Sequence, residues 1–194
     1  MRVIVTRVQP QADRWVAQLS GRFDALALPL IEVQAMPDAH AVQAAGQRWP
    51  EYAAVMFVSS HAVHFFFQAN APLLDLLRGS APAATRAWAT GPGTRGALLA
   101  CGVAAAWVDA PSVEAGQFDS EALWHTVRNQ IHAGSRVLIV RGDHADSQAG
   151  ASPGGDAGVG RDWMAQQLRT AGAQVDFVVA YGRAAPRWQA SERT

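Results

Sequence analysis

Gly91, Gly93 and Gly96 follow the run AWAT and lead into ALLACG, so residues 91–96 spell G-x-G-x-x-G, with Asp109 downstream. In a strand–turn–helix setting such glycines let backbone approach a pyrophosphate at a helix N-terminus, and the acid would bind a ribose. A dinucleotide clamp belongs to the first β-α-β unit of its domain and follows a strongly apolar strand. AWAT satisfies neither condition. The competing explanation is a tight βα turn, with Asp109 ending the next strand. Under both, the free N–H groups of a helix start, with Thr94 close by, seat a carboxylate as readily as a phosphate.

Other strand ends offer the same chemistry. FVSS brings Ser59 and Ser60 to the start of a helix, where each hydroxyl can hold an anion or cap the helix. RGD adds the guanidinium of Arg141, and Arg161 is expected to open a later helix. In open parallel sheets ligands sit at the carboxyl ends of the strands, where all of these fall. His61 and His64 lack a third ligand at metal-binding spacing, and His144 lies in an Asp- and Gly-rich turn region, so no metal site is expected. No GxSxG elbow or cysteine nucleophile motif is present.

The elements that must carry these residues read as a strict alternation. YAAVMFVSS, AWATG, VAAAWVD, RVLIVRGD and QVDFVVAYGR are strands; HAVHFFFQAN, TRGALLACG, SEALWHTVRNQIHAG and RDWMAQQLRTAG are helices. This rhythm calls for a parallel sheet covered on both faces, an α/β domain from about Tyr52 to Arg183. Upstream, strands over Met1–Arg7 and Leu26–Val33 flank a helix over Asp13–Leu19, a β-α-β unit too small to close its own core. Pro37–Pro50 is alanine-rich, and His144–Gly160 reads as a mobile glycine-rich loop.

Composition narrows the chemistry. All sixteen basic residues are arginine, which removes lysine Schiff bases and the P-loop lysine. They balance sixteen acids, so no global charge recruits nucleic acid or an anionic membrane. The single Cys101 has no partner for a disulfide or thiolate cage and is expected to pack as an apolar side chain. No run is long enough to span a membrane, and MRVIVTR enters a strand directly, so a cytoplasmic protein is expected.

Taken in order, TR at 6–7, PLIEV at 29–33, FVSSHAV at 57–63, ATGPGTRGALLACGV at 89–103, DSEALW at 119–124, RVLIVRG at 136–142, GRDWMAQQLRTAGAQV at 160–175 and VVAYGR at 178–183 resemble uroporphyrinogen-III synthase. The resemblance implies a HemD-like fold: two parallel-sheet, three-layer α/β domains joined by a two-stranded linker, the first domain discontinuous and here incomplete. Residues 1–35 would begin domain 1, 36–180 form domain 2, and 181–194 return towards domain 1, with PLIEV and VVAYGR as linker strands. The family's returning half has no counterpart after Thr194, so either a longer natural chain or a truncated copy is expected, and Val8 stands where the family often has proline.

The resemblance also implies a reaction: cyclisation of hydroxymethylbilane to uroporphyrinogen III with loss of water and inversion of ring D, in a monomer needing no cofactor. It makes Tyr181 the candidate acid for the leaving hydroxide, beside the alternative of a hydroxyl simply hydrogen-bonded at a strand end, and gives Arg7, Ser59, Ser60, Gly91, Thr94, Arg141 and Arg161 to the substrate's carboxylates. Two readings compete with it: a non-catalytic or truncated two-lobed module that binds anions or tetrapyrroles, and the nucleotide-dependent oxidoreductase suggested by the glycine motif.

Overall fold

The computed structural model describes residues 1–78, 85–112, 116, 118–143, 156–186 and 188, the side chains of 156–161 aside. The chain divides into two compact units, one of residues 1–35 with 182–194 and one of residues 36–181.

In the first unit, β1 (Arg2–Val5) and β2 (Asp24–Ala27) pair in parallel across α1 (Gln11–Leu19). Ile4 and Leu26, register partners in this two-stranded sheet, are both exposed. The strand expected over Leu26–Val33 is two strands, β2 and the separate β3 (Glu32–Ala35). Pro29, which has no N–H to give to a ladder, falls in the break between them.

The second unit begins with α2 (His40–Gln47), inside the alanine-rich segment to which sequence alone gave no element. The carboxylate of Asp38 accepts from the His40 N–H at 2.8 Å and so satisfies one free donor of that helix start. Along the chain come β4 (Ala54–Phe57), α3 (Ser60–Ala69), α4 (Ala71–Leu77), β5 (Arg86–Ala89), α5 (Pro92–Cys101), β6 (Val108–Asp109), α6 (Ser120–Val127), β7 (Arg136–Gly142), α7 (Asp156–Thr170) and β8 (Gln174–Ala184). The strand order is β3-β8-β7-β4-β5-β6. The β4–β5, β4–β7, β5–β6 and β7–β8 pairings are all parallel. The two sheets with helices on their faces make this an α/β protein.

All four residues of β4 are buried, as a central parallel strand covered on both faces requires. One face carries Ala54, Met56, Trp88, Val137 and Ile139 against Leu123, Val127, Met164 and Leu168 of α6 and α7. On the other, the Phe57 ring meets Phe66 and Phe67 of α3 at 5.5 and 5.7 Å. Complete burial of a side chain of this size contributes about 1.5–3 kcal/mol, so these two layers hold the unit together.

Where local pattern and structure part, tertiary context explains the difference. VAAAWVD is mostly a 3-10 turn at Ala105–Trp107 with only Val108 and Asp109 in the sheet. Among the described residues β6 lies at the end of the strand order and pairs with β5 alone, while alanines have little strand preference of their own. The helix expected over 120–134 ends at Val127 and continues as a 3-10 turn through Gln130, short of Gly134 at φ 85°. The short helix α4 has no counterpart in the sequence pattern. α7 begins at Asp156, so Arg161 lies within a helix that it is expected to open. The glycine-rich segment falls outside the described residues up to position 155 and is helical from 156 to 160.

Candidate functional site

The carboxyl edge of the larger sheet gathers the ends of β8, β7, β4 and β5 side by side. Ser59 is the N-cap of α3, its extended backbone turning the side chain back so that Oγ accepts from the Ala62 N–H at 3.1 Å. The same oxygen lies 3.0 Å from the Tyr181 hydroxyl, and either of the two can donate. Tyr181 is buried, at 4% exposure, with its ring 5.8 Å from that of His61 and stacked 6.0 Å from Phe65. One side of α3 therefore holds the ring, and the first turn of that helix holds its hydroxyl. Ser60 is the first residue of α3 and half-buried.

The neighbouring turn is tied to this one by Thr90, whose hydroxyl donates to the Val58 carbonyl at 3.3 Å. Gly91 is the N-cap of α5 in extended conformation, so its backbone suits any residue; space is what a side chain would lack. A Cβ there would stand 3.3 Å from the Phe118 Cβ, and Phe118 is itself 42% exposed. Thr94 is buried in the first turn of α5. Gly93 and Gly96 have open space where a Cβ would stand, so neither serves close packing. Asp109 is taken by Arg86, which donates to both carboxylate oxygens at 2.8 and 2.6 Å. That hydrogen-bonded pairing raises the Arg86 pKa, and it leaves the acid engaged within the sheet.

The other candidates divide. Arg141 belongs to β7 at this edge, but its guanidinium lies 5.1 Å over the Phe177 ring, with a buried Nε that has no acceptor among the described residues. Phe177 pairs with Ile139 and precedes Val179, the register partner of Arg141, so the arginine is folded back along the sheet and away from Tyr181. The backbone of Arg161 is helical and its side chain lies outside the described residues. Arg7 lies in the first unit, where it lines a cleft of about 340 Å³ with Gln11, Arg14, Trp15 and Gln18.

The structure thus brings Ser59 and Tyr181 into direct contact, sets Ser60, Gly91 and Thr94 at the adjoining helix starts, and turns Arg141 elsewhere. Sequence reasoning missed the Phe65 and His61 walls, the Thr90 tie and Gly142 at the end of β7. The signal for Gly142 was a glycine ending a strand in RGD; His61 was read from sequence as a surface or capping residue at a helix start. Among the described residues no cluster of three His, Cys, Asp or Glu is arranged to hold a metal ion.

The opposite edge of the sheet carries a polar network of different character. The Tyr52 hydroxyl donates to Asp176 Oδ2 at 3.2 Å, and Arg136 bridges Asp176 and Glu51, both at 2.9 Å. Burial, then the charge of Asp176, pushes the Tyr52 phenol above its ordinary pKa. These charges are paired with one another and tie β4, β7 and β8 together at their starts.

Comparison with solved structures defines the fold first. The chain is similar to a mutant uroporphyrinogen III synthase from the extremely thermophilic bacterium Thermus thermophilus, with TM-score 0.55 at 15% identity, over 96% of this chain and 64% of that one. It is similar also to the uroporphyrinogen-III synthetase of Helicobacter pylori, with TM-score 0.52 at 18% identity, over 100% of this chain and 67% of that one. Their shared architecture is the HemD-like α/β fold. The chain spans 64% of the length of the Thermus protein. No curated protein matches the sequence. The sequence model of the family described as uroporphyrinogen-III synthase HemD matches residues 13–151, most of the chain. The chain belongs to the uroporphyrinogen-III synthase family. Among the described residues no helix is long and apolar enough to cross a membrane.

Proposed function

We propose that the chain carries the chemistry of its family: conversion of hydroxymethylbilane to uroporphyrinogen III, a lyase reaction that releases water and inverts the terminal ring. The observation that carries this reading is the hydroxyl pair of Ser59 and Tyr181, 3.0 Å apart at the sheet edge where ligands of open α/β sheets bind. The C–O bond of the substrate's hydroxymethyl group breaks with both electrons going to oxygen. A proton from Tyr181 neutralises the departing hydroxide as water. The remaining azafulvene cation is attacked by the substituted carbon of the terminal ring, the spiro product reopens, and the free α-carbon of that ring closes the macrocycle with the ring inverted; loss of the proton on that carbon restores the pyrrole and returns a proton to Tyr181.

The acetate and propionate groups are held at the periphery. The starts of α3 and α5 offer backbone N–H groups beside Ser59, Ser60, Gly91 and Thr94, and a carboxylate there is favoured by the helix dipole. Arg7 and Arg161 serve as further carboxylate partners. Arg141 contributes only if its guanidinium leaves Phe177. Domain 1 is discontinuous in this reading, its segments 1–35 and 181–194 flanking domain 2, and the protein works as a cytoplasmic monomer without cofactor or nucleic acid.

The test is conversion of hydroxymethylbilane with resolution of isomers, because spontaneous closure gives type I. Type III formation supports the reading. For Tyr181→Phe, general acid assistance predicts a loss of about a hundredfold with little change in substrate binding, whereas loss of a positioning hydrogen bond predicts about tenfold. A chain that binds uroporphyrinogen III yet yields only type I is a tetrapyrrole-binding module instead.

A further inference from the structure

Successive residues of a strand face opposite sides of the sheet, so the side of Tyr181 can be counted along β8. Val175 packs into the core covered by α6 and α7, and Phe177 lies under Arg141 and under Arg169 of α7. Continued alternation would put Val179 and Tyr181 on that same side. The Tyr181 ring instead packs on His61 and Phe65 of α3, which covers the other. The register explains the reversal: Arg141 pairs with Val179, but Gly142 pairs with Tyr181, so Ala180 is an extra residue opposite no partner. Bulges are uncommon in parallel pairs, and one extra residue reverses the facing of every residue after it. The ladder then resumes, with the Asp143 N–H donating to the Tyr181 carbonyl at 2.7 Å.

A side chain at Gly142 would meet the phenol rather than the backbone of β8. A Cβ on Gly142 would stand 2.4 Å from Cζ, 2.5 Å from Cε2 and 2.9 Å from the hydroxyl oxygen of Tyr181, well inside van der Waals contact. The phenol therefore lies across the Gly142 Cα on its way to Ser59. Phe65 and His61 stand beside the ring, and a methyl on Gly142 would displace the phenol from its 3.0 Å contact with Ser59.

We infer that Gly142 is a positioning residue: with the bulge at Ala180 it leaves the space through which the Tyr181 phenol reaches Ser59. The catalytic consequence rests on the proposed role of Tyr181; the positioning itself does not.

Placement is read without turnover. The chain has two tyrosines, so a protein labelled with ring-¹³C tyrosine gives two sets of ring signals, and Tyr52→Phe assigns them. Gly142→Ala should move the Tyr181 signals and leave those of Tyr52, at the opposite sheet edge, in place. Unmoved Tyr181 signals overturn the inference. Should Gly142→Ala alone fail to fold, Gly142→Ala with Tyr181→Leu removes the ring that the new methyl meets; recovery of the fold supports the inference, and failure of both variants overturns it. In turnover, Gly142→Ala should lower type III formation about as far as Tyr181→Phe does, in kcat more than in KM, and the double variant should fall no further. Multiplying losses would show that Gly142 acts independently of the phenol and would overturn the inference. A Tyr181→Phe variant with native turnover removes the acid role and leaves positioning to be decided by the ring signals.

Discussion

Replacing Ser59 by alanine removes one oxygen that makes two bonds, and the cost can be divided between them. As N-cap, Oγ accepts from Ala62 at 3.1 Å, and loss of such a cap costs about 1 kcal/mol. The contact with Tyr181 at 3.0 Å is a neutral hydrogen bond, worth about another 1 kcal/mol. Ser59→Ala should therefore destabilise by about 2 kcal/mol, and Tyr181→Phe, which leaves the cap in place, by about 1 kcal/mol. The double variant should cost about 2 rather than 3 kcal/mol, a coupling of about 1 kcal/mol, because the pair can be lost only once. Ser59→Asn, which keeps a capping side chain, should fall near 1 kcal/mol. Urea unfolding followed by circular dichroism reads these differences as midpoint shifts at constant slope. Additivity of the two single changes within about 0.3 kcal/mol would refute the pairing of the hydroxyls and with it the geometry assigned to the site.

Tyr52 should make the protein alkali-sensitive. A phenol whose pKa is raised on folding contributes fully below its unfolded value, near about pH 10, and that contribution is lost as pH rises through the folded value. The urea midpoint should accordingly fall above about pH 10, and Tyr52→Phe should flatten the fall. Asp109→Asn should cost about 2 kcal/mol in thermal unfolding by breaking the two-pronged bond to Arg86, while fluorescence titration with NADH shows no saturable binding to either protein. Saturable NADH binding lost in the variant would restore the nucleotide reading. Amides of β1 should exchange faster than those of β4, since among the described residues β1 pairs only with β2 and Ile4 is exposed, whereas β4 is wholly buried between two partners. Equal protection in both would show that β1 is held by more than this pairing.

The parts legible in the chain were those set by neighbours in sequence. VMFV, VLIV and FVV are strands because apolar runs that short can be buried only between two helical layers, and Ser59 opens a helix because a serine oxygen can reach an N–H three residues on. Tyr181 entered through a family resemblance over residues 178–183, and the family model, matching residues 13–151, ends before it. Its setting came from the fold. Whether the tyrosine faces α3 or α7 turns on one extra residue in the register between β7 and β8, a pairing of distant segments with no local trace. Nothing in RGD says that its glycine must leave room for a ring, or that its arginine will turn back onto Phe177. Likewise Asp109 had the right place for a ribose until β5 brought Arg86 beside it. Short-range bonding and hydrophobic period lie within a few residues of sequence; facing, free space and the competition among charges depend on which strands become neighbours, and packing of the whole sheet decided them.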